Sequence, residues 1–243
     1  MSRFYVPKES VAGNTIRITG SQAHHIVDVM RLGKLDKVVT FDGTGREYIG
    51  FVRDIKGKSV IVEIVETRTP SGKGSAKITL IQAVPKKDKM DYIAEKATEL
   101  GVHTIIPLAT KRTIPDWDES KKASHVARWR KIVMEASKQC GRSDVPKVED
   151  VKSFSQMAAL AGDYDLALIA ALDDKAEPLK DVLAGFRGGR IAIAIGPEGD
   201  FAPDEVRQAG SAGFRLVNLG SRVLKSDTAG LAVLAILNYE LSS

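Results

Sequence analysis

At 243 residues, with 43% hydrophobic and 28% charged side chains, the chain has room for one large domain or two smaller ones and the balance of a soluble globular protein. Its net charge of +5 and isoelectric point near 9.2 favour an acidic partner, with nucleic acid the leading candidate. A lone cysteine, Cys140, excludes an intrachain disulfide and a cysteine metal cluster, and neither the start, MSRFYVPKES, nor the most apolar run, 229–237, has the length and apolarity of a secretory or membrane-spanning segment, so a cytoplasmic protein with no metal and no membrane partner is expected.

Residues 1–66 read as short strands around one helix. Strands are expected at 3–6 and 15–18, the second alternating Ile16 and Ile18 with Arg17 and Thr19. Ser21 is placed to cap a helix through Leu32, with Ala23, Ile26, Val27 and Met30 on one face. Strands follow at 38–41, 48–54 and 59–65, separated by the tight-turn signals Asp42-Gly-Thr-Gly45 and Lys56-Gly57. Closely spaced strands with hairpin turns point to a small β-barrel. Its basic residues include Arg3, Arg31, Lys34, Arg53, Lys56 and Lys58, and RNA phosphates need such clustered Lys and Arg. The stretch TRTPSGKGS at 67–75 is the clearest linker and sets domains at 1–70 and 74–243.

From Lys77 strands and helices alternate. A strand at 78–84 precedes a helix at 88–100, with Met90, Ile93, Ala94, Ala97 and Leu100 at helical spacing and Gly101 as its stop. A strand at 103–108 leads to a long basic helix at 118–139 carrying Arg128, Arg130, Lys131 and Lys138. A strand at 165–172 and a helix at 177–186 follow, then two strand–loop–helix units whose strands are 191–195 and 216–219. Alternation of this kind predicts an α/β domain with a mainly parallel sheet covered by helices.

The last two strands end in glycine-bearing loops, Gly196-Pro-Glu-Gly199-Asp and Gly220-Ser-Arg-Val-Leu-Lys-Ser-Asp. In open α/β sheets ligands sit beyond the carboxyl ends of the strands, so these loops predict a cofactor pocket. Neither is a P-loop, which needs Gly-Lys-Ser/Thr, nor a G-x-G-x-x-G dinucleotide fingerprint. Pro203 suits a helix N1 position and Asp204 and Glu205 a first turn, although Ala202 is a poor cap. Ser226, Asp227 and Thr228 are cap-type residues before a helix that is apolar almost all round, so close approach to another helix or a second subunit is expected. The remaining RNA-facing candidates are Lys86, Lys87, Lys89 and the pair Arg128 and Arg130, which flank Trp129. His24 and His25 have no partner placed by sequence, and Cys140 is read as a small buried hydrophobe.

GPEGDF and LGSRVLKSDTA, with RFYVP at the start, EKATELGV in the middle and RWRKIVMEASKQCGR between them, resemble the bacterial ribosomal RNA small-subunit methyltransferase E family over essentially the whole chain. The resemblance implies a SPOUT-class enzyme methylating N3 of a uridine in 16S ribosomal RNA, within the small ribosomal subunit. It further implies an N-terminal PUA-like barrel, a C-terminal α/β domain with a deep trefoil knot, S-adenosylmethionine bound in the knot, and a homodimer. Ala171 and Leu172, Ile195 to Gly199 (Ile195, Gly196, Pro197, Glu198, Gly199), and Leu219, Gly220, Val223 and Leu224 match the three cofactor-contacting loops, with Thr228 and Ala229 at the end of the last motif. Asp200 stands where a second Gly is usual, Lys225 where Arg is usual, and Asp227 where Glu is usual.

The chemistry requires the N3 proton to leave, and a cation near O2 or O4 would stabilise the resulting anion. Arg222 is the first candidate, with Lys225 and Arg142 behind it, and Glu198 is the candidate base or orienting group. Arg142, following the helix stop Gly141, also suits contact with an RNA phosphate, as do Arg3, Arg31, Lys86, Lys89, Arg128 and Arg130. Methylation of another RNA base and a non-catalytic RNA-binding assembly factor are the alternatives.

Overall fold

The computed structural model describes residues 3–69, 76–86, 89–113 and 117–241. Two units emerge, each built on its own sheet: residues 1–71 with 134–145, and residues 72–133 with 146–243.

In the first unit, β1 (Arg3–Tyr5), β2 (Val11–Ala12), β3 (Thr15–Ile18), β4 (Lys37–Phe41), β5 (Glu47–Lys56) and β6 (Ser59–Arg68) form a six-stranded half-barrel in the order β1-β4-β5-β6-β3-β2. The β1–β4 pair is parallel and the other pairs are antiparallel. Alternation explains the core: Ile16, Ile18, Val38, Val52, Val60 and Val62 point inward onto Phe4 and Ile26, while Arg17, Arg53 and Glu63 stay exposed. Each such buried Val or Ile contributes about 1.5–3 kcal/mol.

The expected helix, capped by Ser21, begins two residues earlier, as α1 (Gly20–His24), with Thr19 rather than Ser21 before its first turn. It continues through a wider turn, His25–Val29, in which Met30 N donates to His25 O at 2.8 Å. It stops short of Leu32 because Arg31 takes a left-handed φ of 54°, which no helix can propagate. Segment 134–145 belongs with this unit, although it lies within the stretch 74–243. Arg3 Nη2 reaches Glu47 Oε1 at 2.5 Å and the Arg142 carbonyl at 3.2 Å, while Ser143 Oγ donates to Glu47 at 2.7 Å. Linker residues 70–75, and Lys87 and Asp88 from the expected basic loop and helix start, lie outside the described residues.

In the second unit, β7 (Lys77–Ala83), β8 (Thr104–Ala109), β9 (Lys147–Val148), β10 (Lys152–Ser153), β11 (Leu166–Ala170), β12 (Glu177–Pro178), β13 (Arg190–Ile195) and β14 (Arg215–Asn218) form an all-parallel sheet. Its order is β10-β8-β7-β13-β11-β14-β12, with β9 also on β8. The central strands are buried on both faces, as Ile191, Ala192, Ile193 and Ala194 show, which is why they read as continuous apolar runs. The helices are α2 (Lys89–Glu99), α3 (Glu119–Cys140, whose last turns count with the first unit), α4 (Phe154–Ala158), α5 (Leu179–Leu183), α6 (Pro203–Ala212) and α7 (Ser226–Leu241).

One face of the sheet packs Ile81, Ala192 and Ala194 against Phe154 and Met157 of α4 and Val206 and Ala209 of α6. The opposite face meets α7, whose Gly230 lies against Leu80 and Gln82, and α7 in turn packs on α2. The expected helix at 177–186 is only α5, because Glu177 and Pro178 pair with β14 as an edge strand. Cys140 is exposed rather than buried, because it sits at the open end of α3 next to Gly141.

Candidate functional site: a cleft at the carboxyl ends of three strands

Neighbouring strands β13, β11 and β14 send their following loops to the same place. Between these loops lies an open cleft. Its inner wall is small and apolar: Ala170, Ala171, Ile195, Val217 and Ala229. Glu198, Arg222, Leu172 and Val223 also line it, with Leu172 66% and Val223 73% exposed. Three stretches of loop backbone add donors and acceptors. An apolar wall with exposed backbone suits a ligand having a flat ring and a polar tail.

Asp200 ties two of the loops together. Its Oδ2 accepts from Leu172 N at 2.9 Å and its Oδ1 from Phe201 N at 2.8 Å. Its own N–H closes a turn onto Pro197 O at 3.0 Å. The turn holds Asp200 at a φ of 61°, a left-handed conformation that glycine adopts freely and Asp tolerates. Gly196 is required by packing: a Cβ there would sit 3.1 Å from Asp200 Oδ1 and 3.2 Å from the Phe201 ring.

A polar chain from the sheet fixes the third loop. Gln82 is fully buried in β7; its Nε2 donates to Ser226 Oγ at 2.9 Å, and Ser226 Oγ donates to Gly196 O at 2.5 Å. The start of α7 is thereby anchored to the loop after β13. Gln82 Oε1 is buried without a hydrogen-bond partner. Behind the cleft, Glu205 does what Ala202 cannot as a cap: its Oε2 accepts from Ala202 N and its Oε1 from Lys111 N, both at 2.9 Å. Arg112 donates to Gly199 O.

Of the expected catalytic residues, Arg222 and Glu198 line this cleft. Arg222 is exposed and makes no ion pair among the described residues. Glu198 Oε1 lies 3.5 Å from Lys89 Nζ, which also stands 3.8 Å from Asp227. Lys225 is exposed at the start of α7, where its carbonyl accepts from Ala229 N at 2.8 Å, and it is not part of the lining. Arg142 sits in the first unit, its Nη2 on Asp144 Oδ2 at 2.5 Å. The expected cofactor residues Ala171, Leu172, Ile195, Gly196, Pro197, Glu198, Leu219, Gly220, Val223, Leu224 and Ala229 all line the cleft, whereas Gly199 and Thr228 do not.

Sequence reasoning missed Ala170, Val217, Asn218, Ser226 and Asp200 as lining residues. The first two are strand ends indistinguishable from core. Ser226 looked like a helix cap, and only the departure from glycine drew notice to Asp200. Among the expected RNA contacts, several are already committed: Arg3 to Glu47, Arg128 to Asp91, and Arg130 to Val148 O and Asp150. Arg31 and Lys86 are exposed and carry no ion pair among the described residues. Trp129 is 1% exposed and donates Nε1–H to Asp91 at 3.1 Å, so it packs rather than stacking on a base.

The sequence pattern of the RNA methyltransferase domain matches residues 73–238, and that of the RNA methyltransferase PUA domain matches residues 18–65. The chain is 30% identical over 231 residues to the Ribosomal RNA small subunit methyltransferase E of Bacillus subtilis (strain 168), covering 93% of this chain and 90% of that protein. It is 31% identical over 243 residues to the Synechocystis protein of the same name, covering 99% and 78%. A solved structure of that enzyme from Neisseria gonorrhoeae, bound to S-adenosyl methionine, superimposes with a TM-score of 0.83 at 30% identity, over 98% of this chain and 97% of that one. With both of its units matched and the three-loop cleft in place, this chain belongs to the ribosomal RNA small subunit methyltransferase E family.

Proposed function

We propose that the chain is an S-adenosylmethionine-dependent methyltransferase that modifies N3 of a uridine in 16S ribosomal RNA, within the small ribosomal subunit, acting in the cytoplasm as a homodimer. The observation that carries this reading is the convergence of the loops after β11, β13 and β14 on one cleft with a small apolar wall and exposed loop backbone. The residues present fit the cofactor: Ala171, Ile195, Leu219, Leu224 and Ala229 offer apolar surface for a purine ring, and the Leu172, Gly196 and Gly220 backbones offer polar groups for its remainder. Gly199 and Thr228 flank that site and support the loops.

When bound, S-adenosylmethionine supplies a methyl group activated by its sulfonium charge, and methylation at uracil N3 requires the N3 proton to leave. Arg222 stabilises the negative charge that develops on O2 or O4 as that proton departs. Glu198 receives the proton or orients the base, while Lys89 holds its carboxylate at the cleft. Lys225, just before α7, meets RNA phosphates, as do Arg31 and Lys86, which are exposed and make no ion pair among the described residues.

Two further features support the assembly. In the sheet β13 and β11 separate β14 from β7, and α7, which follows β14 in the chain, lies over β7, an order that supports the deep trefoil knot. Along α7, Ala235, Ile236 and Tyr239 form an outward stripe, with Tyr239 84% exposed, and a second subunit would cover it.

The test is incubation of the purified protein with methyl-labelled cofactor and small ribosomal subunits lacking the modification, followed by mass mapping of the RNA. Label on N3 of one 16S uridine is the expected result. Label on another base, or none despite bound cofactor, overturns the assignment.

A further inference from the structure

A second concave surface lies on the outward face of the half-barrel. It is a cleft lined by Ser10, Thr15, Arg17, Arg53, Lys56, Ser59 and Ile61, among others. Its shape comes from a β-bulge. Val52 pairs with Val62 and Asp54 pairs with Ile61, so Arg53 is an extra residue in β5. Bulges re-aim side chains, and this one brings Arg53 to the same cleft as Arg17, which pairs with Ile61 from the other side.

Two guanidinium groups here stand without ion pairs. Arg17 and Arg53 are exposed, and neither makes an ion pair among the described residues. Lys56 is 3.7 Å from Asp54, a carboxylate that Lys34 already holds at 3.0 Å. Glu63 stands next to Ile61 on this face of β6, between Phe51 of β5 and Thr15 of β3. Phe51 lies two residues from Arg53 on the exposed side of β5 and is 38% exposed; its partner in β4 is the exposed Lys37. Guanidinium groups free to take phosphates, beside hydroxyls and an open aromatic ring on a sheet, are the parts that bind single-stranded nucleic acid.

We propose that the outward face of β3, β6 and β5 is a docking platform for a single-stranded RNA segment, with Arg17 and Arg53 on adjacent phosphates and Phe51 stacked on a base. This rests on the reading that the chain acts on ribosomal RNA. It adds where a segment of that RNA is held, on residues distinct from those of the cofactor cleft.

Fluorescence anisotropy with a labelled mixed-sequence oligoribonucleotide of about ten nucleotides tests the platform on the full chain, with S-adenosylmethionine titrated calorimetrically into each variant. The double variant Arg17→Ala/Arg53→Ala should weaken RNA binding by about tenfold or more and flatten its salt dependence, since two phosphate contacts are lost. Phe51→Ala should weaken it by about tenfold, the loss of one stacked base. Cofactor affinity should hold in both, which also shows that the variants fold. Lys147→Ala/Lys152→Ala removes the same charge from the other unit, where both lysines pair with Glu149, and should change little. Equal weakening by the two double variants would reduce the effect to net charge and overturn the platform. Unchanged binding in the arginine variant would overturn it too. Loss of cofactor binding in the unmodified protein would instead sink the methyltransferase reading.

Discussion

Arg222 stands exposed beside the cleft with no carboxylate neutralising it among the described residues, so its charge is available to a developing anion. Arg222→Ala should lower turnover by about a hundredfold or more, the scale of a lost transition-state donor, while calorimetry finds cofactor affinity little changed. Loss of turnover and cofactor affinity together would make the residue structural. Asp200 has a different task. Its carboxylate holds the Leu172 and Phe201 amides together, in a backbone conformation that most residues resist. Asp200→Ala loses both bonds and places a Cβ with no local partner at a φ of 61°. Each charge-assisted bond is worth about 1.5–3 kcal/mol, so cofactor affinity should fall by about tenfold or more. Asp200→Gly frees the backbone but not the tie, and should fall between the two. Equal affinity in all three proteins would show that the tie does not organise the cleft.

At the scale of elements, α7 is held by its beginning. Gln82, Ser226 and the Gly196 carbonyl form one buried chain from β7 to the loop after β13. Ser226→Ala leaves the Gln82 amide and the Gly196 carbonyl short of a partner, which should cost about 1–3 kcal/mol in urea unfolding and weaken cofactor binding, because Gly196 lines the cleft. Ser226→Thr keeps the hydroxyl and should recover part of both. The opposite side of α7 is the outward stripe of Ala235, Ile236 and Tyr239. If the proposed homodimer uses this stripe, Ile236→Glu should shift the protein from dimer to monomer in light scattering. A dimer that survives this substitution would place the subunit interface elsewhere.

At the scale of the whole molecule, the first unit carries its own acid sensitivity. Burial pushes the Asp42 and Glu47 carboxyls up. Hydrogen bonds from Thr44 and Tyr48 to Asp42, and from Ser143 and Arg3 to Glu47, outweigh this and hold both below the ordinary carboxylate range. A depressed folded-state value means stability that is fully present above the unfolded value and is lost as pH falls through the folded one. Thermal unfolding of the full chain should therefore steepen in its loss as pH drops below the carboxylate range, and Asp42→Asn should flatten that dependence. An unchanged pH profile in the variant would remove Asp42 from the account. The second unit owes its shape to the parallel sheet, which puts the ends of β11, β13 and β14 side by side although 25 or more residues separate some of them: Leu172 and Asp200 are 28 apart in sequence and share a hydrogen bond.

The sequence by itself determined the strands and helices whose apolar period is strong, from Ile191–Ile195 to the helix at Lys89–Glu99, because burial on two faces or one leaves a readable pattern. It also determined the glycine loops and, through the resemblance to a known family, most of the residues that line the cleft. Only tertiary structure decided which charges are committed. Arg3, Arg128 and Arg130 look as available as Arg17 and Arg53 until their carboxylates and carbonyls arrive from 18 to 139 residues away. It likewise decided that Asp200 and Ser226 are ties rather than a turn and a cap, and that 134–145 packs with the first unit. The physical reason is the same in each case: a hydrogen bond or ion pair needs two groups within about 3 Å, and proximity across the fold leaves no periodic trace along the chain.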